Sequence, residues 1–310
     1  MARTQTFETF ARKWFEEYVV PNNKLSERRG KHHILRGSLL PFFGRMPVGK
    51  IGVQDIERYK GHTARQGVSN KTINNRLTVL RKCLSAAYEW LGIDGSPPEV
   101  KWLKCAPAKT DYLSAEECTQ LLAQANGLLH ELVLTALHTG MRQGEIKGLQ
   151  WQSIDWQTRV ITVRHSKNDW STILDAPKSN RERHIPMSDE LSGILATRKE
   201  AAGYVFLDAE GRPFTKKTLM RALDQLCREA GVRHIGWHTF RHTFASQLAM
   251  EGAPLFAIQA LLGHSTINTT MRYAHMSPSA LRGAISLLGI PGGYRGQPAG
   301  NPSVDVPLAA

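Results

Sequence analysis

The 310-residue sequence contains no apolar run approaching the ~20 residues that a membrane-spanning helix needs. Its opening stretch, MARTQTFETFARKWFEEY, lacks the hydrophobic core of a signal peptide. A cytoplasmic protein that does not span a membrane is expected. Cysteine is scarce: Cys83, Cys105, Cys118 and Cys227 form no CxxC pair and no disulfide-like framework, so they read as reduced thiols, mostly filling cores. There are no internal repeats. Acidic residues do not keep pace with basic ones in the first third. Residues 1–110 hold 20 of the 40 Lys and Arg but 9 of the 27 Asp and Glu, a net +11, while the other 200 residues carry only +2. A polyanionic partner follows, nucleic acid or an anionic membrane surface, set against the plainer reading of a solvated basic face.

Two domains fit this length. The segment 1–100 reads as a helical domain. Its clearest element begins at Ser69, a plausible N-cap, and runs SNKTINNRLTVLRKCLSAAYEW. Ile73, Leu77, Leu80, Leu84 and Tyr88 recur at helical spacing and are expected to face a core. Lys71, Asn74, Asn75, Thr78, Arg81, Lys82 and Ser85 lie opposite, and such a face can bond phosphates and base edges in a major groove. A solvated face on a bundle helix is the competing reading. GIDGSPP at Gly92–Pro98 breaks the pattern, and 101–112 is expected to be a basic linker carrying Lys101, Lys104 and Lys109. Ser114-Ala115-Glu116-Glu117 has the form of a capping box and opens a second domain, 113–290, that is mainly helical with one β patch. There Val160–Arg164 alternates as a strand, with Arg183–Met187 as its partner. The Gly- and Pro-rich tail 291–310 is expected to be disordered.

Four segments of the second domain carry groups able to do chemistry, and each is weak alone. In HTGMRQGEIKGLQW, Arg142 opens a helix with Glu145 one turn on; an arginine there can clamp a phosphate, although RxxE is as well explained by a surface ion pair. In APKSNRERHIPMSDEL, Lys178 stands in a polar turn from which it could protonate a leaving alkoxide, or simply face water. In WHTFRHTFASQLAMEG, Phe240, Phe244 and Leu248 form an apolar stripe while His238 and Arg241 share another face. His238 and His242 are spaced for zinc, but Thr239 stands where a metalloprotease needs Glu and Arg241 would repel the cation, so no metal is expected. In PLFAIQALLGHSTINTTMRYAHMS, Pro254 opens a helix, Leu255, Ile258, Leu261 and Leu262 give its apolar side, Gly263 ends it, His264 follows, and Tyr273 sits on the next short helix.

Arg142, Lys178, His238-x-x-Arg241, His264 and Tyr273, in that order, form the set that phosphotyrosine strand transfer requires. A phenol with a pKa of ~10 is inert without help. Two arginines and a histidine can neutralise charge building on phosphoryl oxygens without a metal. This constellation closely resembles the tyrosine recombinase (phage integrase) family, with HTGMRQGE as its first arginine box, HTFRH as its HxxR box, LLGHSTINTTMRYAH as its His-to-Tyr box and PKSNRERHIPM similar to its β-hairpin lysine segment. The resemblance covers 113–277, and the helix at 69–90 resembles the family's SAM-like core-binding domain.

The resemblance implies a mainly α fold, with a helical SAM-like core-binding domain and a mixed catalytic domain holding a small antiparallel sheet (the DNA breaking-rejoining fold). The two would close as a C-shaped clamp on duplex DNA. It implies that Tyr273 attacks the scissile phosphate to leave a 3′-phosphotyrosyl link and a free 5′-hydroxyl. Arg142, Arg241 and His264 would hold the non-bridging oxygens, His238 would assist the nucleophile's proton, Lys178 would be the general acid and Glu145 would support. No cofactor or ATP is implied. The partners implied are double-stranded recombination sites, three further copies in a homotetramer docked in trans through a segment such as Ser279–Leu288, and accessory DNA-bending or excision proteins. The stretch HSKNDWSTILDAP is longer than the family's compact hairpin and leaves Lys167 as a second candidate acid. No arm-site-binding domain is expected before the core-binding segment. Integration or excision of a mobile element and Xer-like resolution of replicon dimers remain open to each other. A type IB topoisomerase would share the chemistry without needing a trans-docking segment, and a regulator using 254–273 as a non-catalytic helix-turn-helix would leave Arg142, Lys178, His238 and Arg241 unexplained.

Overall fold

The structure, a computed structural model, describes residues 5–106, 110–169, 174 and 182–276. The chain divides into two compact units, Met1–Ala108 and Lys109–Ala310.

The first unit is helical. Helix α1 (Phe7–Trp14) starts where the Thr6 hydroxyl accepts the Thr9 amide, and it buries Phe7, Phe10, Ala11 and Trp14. It passes through a π turn, Phe15–Val19, into Val20–Asn22, and α2 (Leu25–Ile34) likewise passes through Leu35–Leu39 into Leu40–Phe43. Each π turn ends two residues before a proline, Pro21 or Pro41. A proline inside a helix has no N–H and crowds the carbonyl four residues back, so the ladder slips to wider bonds there, Val20 to Phe15 and Leu40 to Leu35. Helix α3 (Val53–Arg65) and the long α4 (Asn70–Trp90) complete the unit. Ser69 caps α4 through the Thr72 amide, as expected. Ile73, Leu77, Leu80 and Leu84 are buried; Tyr88 is only partly so, and Val79, Cys83 and Ala87 widen the stripe instead. Each such aliphatic side chain contributes about 1.5–3 kcal/mol on full burial.

In the second unit the expected capping box is present. The Ser114 hydroxyl accepts the Glu117 amide at 3.2 Å and the Glu117 carboxylate accepts the Ser114 amide at 2.9 Å, opening α5 (Ala115–Gln124). Helix α6 (Gly127–Thr139) is apolar nearly all round and is the buried axis of the unit, ending at Gly140 with φ +59°. The short α7 (Gln143–Lys147) follows. A three-stranded antiparallel sheet then runs in the order β1 (Ile154–Asp155), β2 (Val160–Val163), β3 (Arg183–Pro186). The β2–β3 pair was expected, with register Val163 opposite Arg183 and Ile161 opposite Ile185; β1 is too short to leave a period in the sequence. Helices α8 (Asp189–Ala196), α9 (Lys216–Glu229), α10 (Trp237–Met250), α11 (Leu255–Leu262) and α12 (Ile267–Thr270) follow, and a 3-10 turn, Met271–Met276, carries Tyr273. Helix α10 packs along α6 and holds the 3-10 turn against its far side. Ala245, Ala249, Ile258, Leu262 and Tyr273 close a small separate core there.

Among the described residues no helix is long and apolar enough to cross a membrane. Lys178, the segment Ser279–Leu288 and the tail 291–310 lie outside the described residues.

Candidate active site

Three arginines and one carboxylate meet where α7, β3 and α10 converge. Arg142 stands at the N-cap of α7, and its backbone N–H and Nη1 both donate to Glu145, at 2.8 and 2.9 Å. Glu145 is also gripped by Arg183, whose Nη1 and Nη2 donate to the two carboxylate oxygens at 3.1 and 2.6 Å. Burial alone would push the Glu145 carboxyl up. The hydrogen bonds and charge of Arg183, followed by those of Arg142, outweigh it and hold the pKa down at about 2.

Arg241 is the third cation, 1% exposed within α10. Its Nη1 donates to the carbonyl of Gly140 at 2.8 Å and its Nη2 to that of Leu262 at 2.5 Å, so its guanidinium caps the C-termini of α6 and α11 at once. Carbonyls at helix ends carry partial negative charge and suit a buried cation. Glycine is required at both corners. A Cβ at Gly140 would sit 2.5 Å from the Phe244 ring, and one at Gly263, φ +66°, would sit 2.8 Å from Arg183 Cδ. Burial and the nearby Arg142 charge lower the Arg241 pKa to about 9, which still leaves it charged at neutral pH. Among the described residues one carboxylate serves these three guanidiniums, which leaves a surplus of positive charge, the condition for holding a phosphate.

His264 follows Gly263 in the turn after α11, its Nδ1 2.8 Å from the Thr270 hydroxyl. Burial, then the charges of Arg241, Arg142, Arg272 and Arg183, lower its pKa to about 3, so the imidazole is neutral. Tyr273 is 1% exposed, and its hydroxyl lies 2.6 Å from Nδ1 of His242. Burial raises the phenol's pKa, and Arg272 and Arg241 pull it back. His238 is exposed, with its ring edge-on to His242 at 4.8 Å between centroids. It lines a basic cleft of about 640 Å³ together with Arg142, Lys147, Lys167 and Lys216. The loop bearing Lys167 is held on α7, since the Lys167 amide donates to the Gly144 carbonyl at 2.7 Å and Asp169 accepts from Lys147.

Arg142, Glu145, Arg241, His264 and Tyr273 therefore come together, and His238 faces the cleft beside Arg142. Arg183, Arg272, Thr270 and the role of His242 were missed. Arg183 had a signal, because a charged residue at an inward position of a predicted strand needs a buried partner. Among the described residues no group of three or more His, Cys, Asp or Glu side chains is placed to hold a metal ion.

The face of α4 expected to meet DNA divides in two. Asn74 is tied to the chain that follows the helix, its amide donating to the Leu103 carbonyl at 2.9 Å and its oxygen accepting the Leu103 N–H at 3.0 Å. The Arg81 guanidinium lies over the Trp102 ring at 5.5 Å, and Thr78 donates back to the Asn74 carbonyl. Lys71, Asn75 and Lys82 are exposed.

The profile of the phage integrase family matches residues 111–279, and that of the phage integrase N-terminal SAM-like domain matches residues 6–61. The integrase of Escherichia phage P2 is 30% identical over 240 residues, covering 77% of this chain and 65% of that protein. A XerC-like tyrosine recombinase of Caldanaerobacter subterraneus is 28% identical, covering 78% of this chain and 72% of that one. The fold is that of the Tn1549 transposon integrase solved in complex with a circular intermediate DNA, at TM-score 0.79 and 23% identity over 91% of this chain and 99% of the other.

Proposed function

The chain belongs to the phage integrase family and is a tyrosine-type site-specific recombinase, a DNA cleaving and rejoining enzyme, and from that membership we propose that Tyr273 is its nucleophile. The observation that carries this reading is an arginine cluster, with one counter-carboxylate among the described residues, whose positive charge adds to burial in keeping His264 neutral and, through Arg241 together with Arg272, acts on the buried phenol of Tyr273. A scissile phosphate set against Arg142, Arg241 and His264 supplies the missing negative charge. The arginines stabilise the charge that grows on the non-bridging oxygens as Tyr273 Oη attacks phosphorus. His264 Nδ1 lies 2.8 Å from the Thr270 hydroxyl; in the tautomer in which that hydroxyl donates, His264 carries its hydrogen on Nε2 and acts as a further neutral donor. Glu145 and Arg183 position Arg142 and touch no substrate.

Attack forms the Oη–P bond and breaks P–O5′, leaving a 3′-phosphotyrosyl link and a 5′-hydroxyl. The phosphodiester's energy is conserved in that link, so rejoining needs neither ATP nor a metal. Lys178 is the proposed acid for the leaving oxygen. Lys167, in the cleft with Arg142 and His238, is the second candidate, and His238 is proposed to act at the cleft's open side.

The substrate is a pair of double-stranded recombination sites bound by a homotetramer in the cytoplasm, with accessory DNA-bending proteins as further partners. The core-binding domain (1–100), the linker (101–112) and the catalytic domain (113–290) are each proposed to contact the DNA. Integration or excision of a mobile element is favoured, supported by the likeness to the P2 integrase and by the DNA-bound transposon integrase. Xer-like resolution of replicon dimers is the second reading, supported by the XerC-like relative. A helix-turn-helix regulator is disfavoured, because α12 has four residues and is too short to read a groove.

The test is covalent trapping on a nicked suicide duplex carrying the attachment site. Wild-type protein is expected to form an adduct that survives SDS, and Tyr273→Phe to form none while still binding the DNA. Tight binding by both with no adduct from either overturns the catalytic reading.

A further inference from the structure

The phenol of Tyr273 must lose its proton as its oxygen attacks, and the HxxR pattern gives that task to His238. A different imidazole reaches the oxygen. His242 Nδ1 lies 2.6 Å from Tyr273 Oη, whereas His238, one helical turn earlier on α10, is exposed and packs edge-on against the His242 ring. We propose that His242, immediately after Arg241, is the catalytic partner of Tyr273: it fixes the hydroxyl and takes its proton as the Oη–P bond forms. The proposal rests on the reading of Tyr273 as nucleophile and assigns the base of that same site.

Three observations converge. The contact is short and joins the reacting atom itself. Tyr273 is buried among Ala245, Ala249, Ile258 and Leu262, so bulk water is not at hand to accept the proton. His242 is partly buried, with charged groups on each element around it: Arg241 on its own helix, Arg272 on the turn that carries Tyr273, and Asp111 on the segment entering α5. Burial first, then Arg272 and Arg241, keep the imidazole neutral, with Asp111 opposing them. A base must be neutral before it acts. A phosphate entering the arginine cluster offsets those same positive charges and raises the imidazole's basicity when substrate is bound.

The step balances. Tyr273 Oη gives its proton to His242 Nδ1 and its electron pair to phosphorus, P–O5′ breaks, and the lysine acid protonates O5′. In rejoining, the 5′-hydroxyl attacks phosphorus, the lysine recovers its proton, and Tyr273 Oη departs with the proton held by His242. The competing account is that His242 merely satisfies a buried hydroxyl.

The experiment is single-turnover cleavage of the nicked suicide duplex from about pH 5 to 9 by wild type, His242→Asn, His242→Leu and His238→Asn, with DNA affinity measured for each. Asparagine places a carbonyl oxygen near the Nδ1 position, so it accepts the tyrosine's hydrogen bond but cannot take its proton. Both His242 variants are expected to cleave about 100-fold or more slowly and to lose the acid limb of the pH profile that wild type and His238→Asn retain. Cleavage by His242→Asn within about threefold of wild type, with the acid limb kept, overturns the proposal. A second measurement needs no variant at this position: the ¹⁵N shifts of His242 in the wild-type protein are expected to show Nδ1 bare and Nε2 protonated. A hydrogen on Nδ1, donated to Tyr273, overturns the proposal as well. Adduct formation by Tyr273→Phe on the same gels overturns the nucleophile instead, so the two failures are told apart.

Discussion

Arg183 Nη2 stands 2.6 Å from Glu145 Oε2, and both side chains are buried, so a strand and a helix nearly 40 positions apart in sequence are joined by an ion pair at the base of the arginine cluster. Glu145 is the group that lets Arg142, Arg183 and Arg241 share this space.

Replacing Glu145 by Gln should destabilise the second unit by about 3–5 kcal/mol, the cost of leaving buried charge unpaired. Urea unfolding measures it. Adding Arg183→Met to the same protein should recover part of the loss, since it removes one stranded cation. The pH dependence has a fixed sign. The folded pKa of about 2 lies below the ordinary 4.5, so the pair's contribution is fully present above pH 4.5 and is lost as pH falls toward 2. Wild-type stability should drop by about 3 kcal/mol more than that of Glu145→Gln across this window. Parallel acid profiles for the two proteins count against the account.

Gly140 tests the corner that holds Arg241. Its φ of +59° and the 2.5 Å approach to Phe244 leave no room for a methyl group, and its carbonyl is an acceptor for Arg241. Gly140→Ala should lower stability by about 1–3 kcal/mol and should slow cleavage by a larger factor than it weakens DNA binding. A rate unchanged once folding is corrected for would mean that the Arg241 anchor does not set its catalytic position.

Much of this site was legible because its residues recur in short boxes whose chemistry is meaningful only together. The capping box at Ser114, the β2–β3 pairing and the Gly263 helix end were likewise readable from local rules. The sequence could not give pairings that local spacing does not encode. Asn74 looks like a base-reading side chain on a polar helix face, and only the return of the chain at Leu103 fills that side. Arg241 shares a helix with Phe240 yet is as buried, because two helix ends supply its acceptors. His242 carries no local signal beyond a zinc-like spacing from His238 that Thr239 and Arg241 already argue against, and it is the fold that brings Tyr273 to it from 31 positions away.

The divided face of α4 separates stability from DNA affinity. Asn74→Ala removes a two-way hydrogen bond with Leu103 and should destabilise the first unit by about 1–3 kcal/mol. Its effect on DNA affinity, once corrected for folding, should be small. Lys82 is exposed, and Lys82→Ala should leave the melting temperature unchanged, weaken DNA binding, and shrink the slope of log affinity against log salt by about one contact. Fluorescence anisotropy over a salt series measures both. An unaltered salt slope for Lys82→Ala would remove α4 from the DNA-binding surface.

The general acid can be identified by changing what leaves. Protonation matters because an alkoxide is a poor leaving group, while a thiolate departs without help, having a thiol pKa of roughly 8–9. A duplex with sulfur at the bridging 5′ position should therefore restore cleavage to a protein that has lost its acid and give no such benefit to one that has lost its nucleophile or a phosphate clamp. Lys178→Ala is expected to slow cleavage of the oxygen substrate by about 10²–10⁴-fold and to approach wild type on the sulfur substrate. Lys167→Ala, which removes a cation from the cleft beside Arg142 and His238, is expected to lose less and to gain no selective rescue. The reverse pattern would move the acid to Lys167 and make the loop held on α7 by Gly144 the element that delivers it. Rescue of neither variant would mean that the proton reaches O5′ from another donor, with exposed His238 in the same cleft the next to replace.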